Sequence, residues 1–326
     1  MGRTWYNSCN LVANVRGNFG MVNMIELTDS KDLLNDASAL RERASEDGYL
    51  FFRSLVDPES LANVRRQILA LCEEHGWLKE NTDPMEGIAR PGVVWLEGQP
   101  EYMALYNRLI CLEDFHALAH HPSLLRVADA LFGGNTLVHP RNIARIMFPN
   151  AQLHTTAAHQ DYVHIQGTPD TWTAWIPLGD CPRELGVLAI LPGTHRNGIY
   201  PTRSAYGAGG LGIDTSGFPQ EWRASALQSG DVLFFHSHTV HKALPNDSPD
   251  RLRLSVDFRY QSAAEPVCDQ ALQPHHMQIG WEQVYTGWKS DRFQYYWKDL
   301  PLTVVEWTPE YQLQAAATAD QPLSAV

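Results

Sequence analysis

Apolar residues in the first part of the chain follow helical spacing. The clearest helix start is Asp57-Pro58-Glu59-Ser60, because aspartate is a favourable N-cap and proline is favoured at the first helical position. The apolar run at 48–52, just before it, is typical of a strand that leads into a helix. A second helical stretch covers 102–131, and Pro122 within it predicts two helices that meet near 120–123.

From about Leu137 the pattern changes to short runs of Val, Ile, Phe and Trp separated by turn-forming residues. Six runs are candidate strands: 143–148, 158–165, 171–177, 187–191, 231–235 and 252–260. Such a series predicts a mainly β fold, an antiparallel sandwich or barrel, with flanking helices. We expect a single domain over 1–326, with a helical part at about 28–135, the barrel at about 137–262, and a helix and loop extension at about 263–314.

The glycine-containing segment 200–220 interrupts the series of strands and cannot be regular structure throughout. Two interpretations are open for it. It is either a lid or substrate loop, or a solvent-exposed connection.

Composition and charge restrict the class of partner. The chain is 44% hydrophobic and 19% charged, which is typical of a soluble globular protein. Its net charge of −12 disfavours phosphate backbones and anionic lipid surfaces, and no run approaches the roughly 18 apolar residues of a membrane span. We therefore expect a small-molecule substrate, with neither nucleic acid nor a membrane as partner.

The cysteines and the first residues bear on the compartment. The five cysteines are scattered and never form a CxxC pair, which predicts reduced thiols. The first residues lack the continuous apolar stretch of a secretory signal. Together these features predict a cytoplasmic protein.

The candidate chemistry begins with His159-Gln160-Asp161. In a strand, residues two apart project from the same face, so this imidazole and carboxylate can reach one ion. With 14 histidines in the chain such a triplet arises easily by chance, and its context matters more. That context is a later segment containing three histidines, His236, His238 and His241. Two histidines and one carboxylate leave three positions of an octahedral ion open, as in non-haem Fe(II) oxygenases, whereas structural zinc sites are closed.

An arginine follows about twelve residues after the last of these histidines, where a strand could direct its guanidinium into the barrel. A guanidinium there could pair bidentately with a carboxylate cosubstrate. Ser255, two residues beyond Arg253, would point the same way and could donate a second hydrogen bond.

In their order and spacing, these features resemble the phytanoyl-CoA dioxygenase family of Fe(II)- and 2-oxoglutarate-dependent oxygenases, which includes ectoine hydroxylase. The resemblance covers 48–261, about two-thirds of the chain. The matching features are Asp47-Gly48-Tyr49, His159-Gln160-Asp161, Trp175 in Ala-Trp-Ile-Pro-Leu, Leu191-Pro192-Gly193-Thr194-His195-Arg196, Gly230-Asp231, Phe234-Phe235-His236, and His241 with Asn246. Each is weak alone, and the resemblance rests on all of them together.

The resemblance implies a double-stranded β-helix, which is a jelly-roll barrel of the cupin type. It implies His159, Asp161 and His241 as iron ligands, because the family's distal ligand falls eleven residues after the glycine of the Gly-Asp turn. His236 and His238 then become supporting or structural histidines.

The activity implied by the resemblance is that of an oxygenase. Fe(II), 2-oxoglutarate and O2 are the expected cofactor and cosubstrates, with succinate and CO2 released. The expected reaction oxidises an unactivated C–H bond of a small molecule, such as a secondary metabolite or an amino-acid-like compound. Asp161 at the carboxylate position favours hydroxylation over halogenation, while desaturation, epoxidation and ring formation remain open.

For the far carboxylate of 2-oxoglutarate, the family usually places an arginine eleven residues after the distal histidine, a position that Leu252 occupies here. The sequence thus departs from the family pattern by one residue. Arg253 is favoured over Arg251, because the Arg-x-Ser spacing gives two converging donors, Arg253 and Ser255.

Four further residues have two interpretations each. Trp175 and Asn142 are expected in the walls of the cosubstrate pocket, with a core or edge role as the alternative. Arg145 and Arg259 could meet an anionic substrate or form ordinary surface ion pairs.

Two other function classes are compatible with the same ligands. The first is a metal-binding barrel without oxygenase activity, such as a sensor or binding module. The second is a zinc-dependent hydrolase or isomerase that activates water, which would leave Arg253 and Ser255 without a purpose. The sequence does not distinguish a monomer from a homodimer.

Overall fold

The structure is a computed structural model that describes residues 24–317 and residue 323. Its helices are α1 Ala37–Asp47, α2 Pro58–Glu74, α3 Pro100–Leu109, α4 Glu113–Leu118, α5 Pro122–Phe132, α6 Tyr162–Ile165, α7 Trp281–Val284 and α8 Glu310–Ala317. Its strands are β1 Tyr49–Phe52, β2 Thr136–Val138, β3 Ile143–Met147, β4 Trp172–Pro177, β5 Leu188–Ile190, β6 Arg203–Ser204, β7 Leu211–Gly212, β8 Val232–His236, β9 His241–Ala243, β10 Arg253–Ser262, β11 Val267–Cys268 and β12 Val304–Val305. Short 3₁₀ turns connect several of them.

Six antiparallel strands form the major sheet. Its order is β1-β8-β4-β10-β2, and β3 also pairs with β10, so the long strand β10 contacts three neighbours. A smaller pair, β5 with β9, faces one side of this sheet. The expected β core with flanking helices is confirmed. The strand pairing within the described residues forms open sheets rather than a closed ring.

Both faces of the major sheet are buried, because alternate residues of each strand enter different cores. Leu50 of β1 and Phe234 of β8 pack into a large core shared with the helices and the C-terminal extension. Tyr49 and Phe235, their neighbours in sequence, pack into a second core against β5 and β9. The space between the major sheet and the β5–β9 pair contains the candidate active site.

Most elements predicted from the sequence agree with the structure. Helix α2, for example, starts at Pro58, and the Asp57 carboxylate accepts a hydrogen bond of 2.8 Å from the backbone N–H of Ser60. Two predictions are wrong. The stretch 102–131 contains three helices, because the chain also turns between α3 and α4. The predicted strand 158–165 is an irregular segment followed by α6, since Asp161 adopts right-handed helical angles of −64° and −31°.

Gly48 lies at a closely packed position between α1 and β1. Its φ of +71° lies in the left-handed region, and an added Cβ would clash with the His195 imidazole. Only glycine fits between α1 and β1 for both reasons.

Four of the five cysteines are free thiols, and Cys9 lies outside the described residues. Among the helices of residues 24–317, none is long and apolar enough to span a bilayer. A segment of the expected C-terminal extension, Trp281 and Trp297, packs into the same core as the helical layer and the sheet.

Candidate active site

Two histidines and one carboxylate converge between the major sheet and the β5–β9 pair. The Nε2 atoms of His159 and His241 lie 3.6 and 3.7 Å from Oδ1 of Asp161, and the two imidazole centroids are 4.2 Å apart. All three side chains are buried, and one potential ligand atom from each lies within 4.8 Å of the other two. These atoms surround a gap of the size that a first-row metal ion occupies.

The other ring nitrogens determine the tautomer of both histidines. Nδ1 of His159 lies 2.8 Å from the carbonyl oxygen of Ala157, and Nδ1 of His241 lies 3.0 Å from that of Thr239. A carbonyl only accepts, so each Nδ1 carries the hydrogen and each Nε2 presents a lone pair toward the gap. Burial, followed by the neighbouring His159, lowers the pKa of His241 to about 3, which keeps its imidazole neutral.

The Asp161 carboxylate divides its contacts between its two oxygens. Oδ1 faces the imidazoles, while Oδ2 accepts a hydrogen bond of 2.7 Å from Thr173 Oγ1 and another of 3.2 Å from Arg259 Nη2. Burial by itself would raise the pKa of Asp161, but Arg259 and the two imidazoles hold it well below its usual range. The carboxylate is therefore ionised and oriented, as a metal ligand requires.

Backbone pairing brings the three side chains together. His159 and His241 form an isolated bridge, with N···O distances of 2.9 and 3.0 Å in the two directions. Asp161 returns its carboxylate toward the same gap because the chain turns there into α6. The convergence thus comes from a turn, and the strand geometry predicted for His159 and Asp161 is not the cause.

His236 and His238, the other two histidines of the segment that contains His241, lie outside this group. His236 is at the end of β8, with its ring 5.6 Å from that of Trp172 and 5.5 Å from that of His195. The His238 ring contacts Tyr162 at 4.9 Å between centroids. Neither belongs to the group around Asp161.

A small central cavity of about 30 Å³ connects the three side chains with Arg253. Its other lining residues include Trp175, Thr173, Leu188 and Phe235. Arg253 is 2% exposed, and its Nε and Nη1 have no hydrogen-bond partner in the described part of the chain. A buried guanidinium without a counterion is costly, so this residue is a ready binding point for an anion. Arg251, the alternative, is exposed and its backbone bridges to Ile88.

The remaining predicted pocket residues divide into two groups. Trp175 lines the central cavity, with its ring centroid 5.7 Å from Cζ of Arg253. Ser255 is buried two residues further along β10, and its Oγ has no partner within residues 24–317. Asn142 does not line the central cavity. Its side-chain amide instead donates to Nδ1 of His116 at 3.1 Å.

Two larger cavities share lining residues with the central one. The polar cavity, about 240 Å³, shares His159, Asp161 and Arg259 with it and is also lined by Arg141, His139, His164, Gln270 and Gln312. The apolar cavity, about 370 Å³, includes Trp95, Leu96, Tyr102, Met147 and Phe148. Residues 205–208 of the segment 200–220 line the apolar cavity, and Ala208 and Gly209 line the polar one, which supports the interpretation of this segment as a substrate loop.

Arg145 and Arg259, for which the sequence left a substrate contact or a surface ion pair open, both line the polar and central cavities. Arg259 is buried and contacts Asp161, whereas Arg145 is half-buried and contacts Glu97 at 2.7 Å and Asp257 at 3.3 Å. Glu97, His275 and His276 form a second group of potential metal-binding atoms, but the Glu97 carboxylate is already bound by Arg145. These residues come from distant loops, and no local pattern marks them.

Comparison with known proteins identifies the family. The family model for phytanoyl-CoA dioxygenase (PhyH) matches residues 44–254. The chain belongs to the phytanoyl-CoA dioxygenase family. A 1-deoxypentalenic acid 11-beta-hydroxylase from Streptomyces arenae is 30% identical over 267 residues, covering 76% of this chain and 89% of that protein. The peroxisomal phytanoyl-CoA dioxygenase of Mus musculus is 22% identical and covers 64% of each chain.

The similarity extends to the fold. The crystal structure of the epimerase SnoN in complex with Fe3+, alpha ketoglutarate and nogalamycin RO is 22% identical, with a TM-score of 0.51, and covers 72% of this chain and 86% of that one. As a member of the phytanoyl-CoA dioxygenase family, the protein is an iron- and 2-oxoglutarate-dependent dioxygenase. The two imidazoles with the ionised Asp161, and the Arg253 guanidinium without a carboxylate partner in the described part of the chain, fit these two groups.

Proposed function

We propose that His159, Asp161 and His241 bind Fe(II) and that Arg253 binds the far carboxylate of 2-oxoglutarate, so that the protein hydroxylates a C–H bond of a small secondary metabolite. One arrangement carries the proposal: the Nε2 atoms of the two histidines and Oδ1 of Asp161 line the same cavity as a buried guanidinium that has no carboxylate partner among the described residues. The hydroxylase relatives from Streptomyces support the reaction type and the class of substrate.

In this proposal, iron and 2-oxoglutarate together activate dioxygen for the oxidation of the substrate. The protein residues hold and orient the reactants. Thr173 and Arg259 fix the Asp161 carboxylate, and the carbonyls of Ala157 and Thr239 fix the two imidazoles. Arg253 anchors the cosubstrate, with Ser255 Oγ as a second donor and Trp175 as a wall of the cavity.

Three structural features complete the proposal. A double-stranded β-helix is supported by the major sheet facing the β5–β9 pair and by the fold similarity to SnoN. A single catalytic domain is supported by the core that joins the helical layer, the sheet and the C-terminal extension. A cytoplasmic location is supported by the free thiols among the described cysteines.

The test is anaerobic reconstitution with Fe(II), followed by addition of 2-oxoglutarate. A 2-oxo acid chelated to Fe(II) gives a weak visible absorption band, which we expect in the wild type and not in His241→Ala. His238→Gln is the matched control and is expected to keep the band. The proposal is overturned if the Fe(II)-loaded wild type gives no band, or if the band survives in His241→Ala. Conversion of 2-oxoglutarate to succinate then serves as the screen for substrates.

A further inference from the structure

The polar cavity has three arginines in its wall, and they differ in how their charges are compensated. Arg145 contacts two carboxylates, Glu97 and Asp257. Arg259 contacts Asp161. Arg141 forms no ion pair among the described residues, and its Nη1 donates to the backbone carbonyl of Gln270 at 2.9 Å.

The position of Arg141 makes this lack of a counterion costly. The side chain is largely enclosed beside the polar cavity, and burial followed by the positive charge of Arg259 lowers its pKa to about 10. The guanidinium is still fully charged at neutral pH. An anion bound in the cavity would therefore offset the cost of desolvating Arg141 and would reduce the repulsion between Arg141 and Arg259.

2-Oxoglutarate is not the anion that Arg141 would receive. The cosubstrate has its own unpaired guanidinium in Arg253, which lines the central and apolar cavities and not the polar one. Arg141 instead lines the polar cavity, which His159 and Asp161 also line.

We propose that the substrate is a small carboxylic acid and that Arg141 binds its carboxylate. This inference rests on the proposed function and names the substrate class of the same site. The polar cavity, about 240 Å³, connects through shared residues Glu97, Arg145 and Ala208 to the apolar cavity of about 370 Å³. The rings of Trp95, Tyr102 and Phe148 in that second cavity suit an apolar body, so the substrate has one charged end and an apolar remainder.

The test uses two probes that match in size and differ in charge, adamantane-1-carboxylate and adamantane-1-carboxamide. Binding is measured by calorimetry on protein loaded with Mn(II) and 2-oxoglutarate without oxygen, so that Arg253 is already occupied. We expect the wild type to bind the carboxylate at least about tenfold more tightly than the carboxamide. Arg141→Gln should remove this preference by weakening carboxylate binding about 10- to 100-fold, and Arg141→Lys should retain part of it.

The control is Arg292→Gln, which removes an exposed arginine that lines none of the three cavities and should leave both affinities unchanged. Thermal unfolding of Arg141→Gln shows whether its fold is intact. Arg141→Lys provides a second variant if the first is unstable. A wild type that does not prefer the carboxylate, or that does not measurably bind it at millimolar concentration, overturns the proposal, and so does an unchanged preference in a folded Arg141→Gln.

The two proposals fail in different ways. Loss of the Fe(II)–2-oxoglutarate absorption band in the wild type would contradict the proposed function. A normal band in both wild type and Arg141→Gln, together with equal affinity for the two probes, would contradict only the assignment of Arg141.

Discussion

Thr173 Oγ1 donates a hydrogen bond of 2.7 Å to Oδ2 of Asp161, the carboxylate oxygen that does not face His159 and His241. The carboxylate therefore presents Oδ1 to the two imidazoles while β4 fixes its other oxygen. A hydroxyl on the sheet thus controls the orientation of a proposed iron ligand that lies in a turn, outside the sheet.

Thr173→Val tests this orientation, because valine has nearly the same shape but no hydroxyl. We expect the affinity for Fe(II) to fall about 10- to 100-fold, as is typical when a hydrogen bond that orients a metal ligand is removed. Anaerobic Fe(II) titration measures it. Thr171→Val is the matched control, since the buried Thr171 hydroxyl bonds to the carbonyl of Thr168 away from the site. Equal affinities in the two variants would contradict an orienting role for Thr173.

Arg253 and Arg251 are expected to differ sharply in their effect on 2-oxoglutarate. Loss of a buried charge partner costs about 2–4 kcal/mol, so Arg253→Gln should raise the KM for 2-oxoglutarate about 30- to 1000-fold. Arg251→Gln should leave it unchanged, because that side chain is exposed. The measurement is succinate formation as a function of 2-oxoglutarate concentration. A larger effect of Arg251→Gln would reverse the assignment.

Replacing Arg253 should weaken 2-oxoglutarate binding but stabilise the protein without 2-oxoglutarate. Two nitrogens of its buried guanidinium lack hydrogen-bond partners within residues 24–317, and an apolar side chain of similar volume removes the cost of burying that charge. Arg253→Met should therefore raise the free energy of unfolding of the protein without 2-oxoglutarate by about 1–4 kcal/mol. Urea unfolding with and without 2-oxoglutarate checks this. The cosubstrate should stabilise the wild type and not the variant.

Asn142 provides a contrast among the residues expected to bind 2-oxoglutarate. Its amide donates to Nδ1 of the buried His116, whose Nε2 donates to the carbonyl of Ile110 at 2.8 Å. Asn142→Ala should lower the free energy of unfolding by about 1–3 kcal/mol, because it leaves a buried acceptor without a partner. The KM for 2-oxoglutarate should stay within error of the wild type. A rise of that KM with unchanged stability would contradict this prediction and support a role for Asn142 in binding 2-oxoglutarate.

His116 makes stability depend on pH. Burial lowers its pKa from 6.5 to about 4, so between these values the unfolded chain binds a proton that the folded protein does not. This contribution to stability is fully present above pH 6.5 and is lost as pH falls toward 4, at up to about 1.4 kcal/mol per pH unit. His116→Gln keeps a donor and an acceptor but cannot be protonated. Its free energy of unfolding should fall less steeply from pH 6.5 to 5 and run parallel to the wild type above pH 7. Identical slopes in both ranges would contradict the prediction.

The local elements and the family followed from short-range information. The N-cap Asp57, the proline after it and the apolar spacing of α2 are properties of neighbouring residues, so they specify that helix without knowledge of the rest of the fold. The same holds for the short apolar strands of the sheet. The spacing between the glycine of the Gly-Asp turn and His241 is a property of the linear sequence, and through the family resemblance it identified the proposed ligand triplet.

The contacts that make the site depend on the tertiary structure. Residues 158–165 are apolar enough for a strand, but the pairing of His159 with His241 ends at one bridge and the chain turns into α6 at Asp161. Whether an arginine has a counterion depends on residues that the fold brings from far along the chain. Among the described residues, Arg145 contacts Glu97, Arg259 contacts Asp161, and Arg141 contacts no carboxylate and donates to a backbone carbonyl. Long-range packing determines these pairings, and the spacing of residues along the sequence does not predict them.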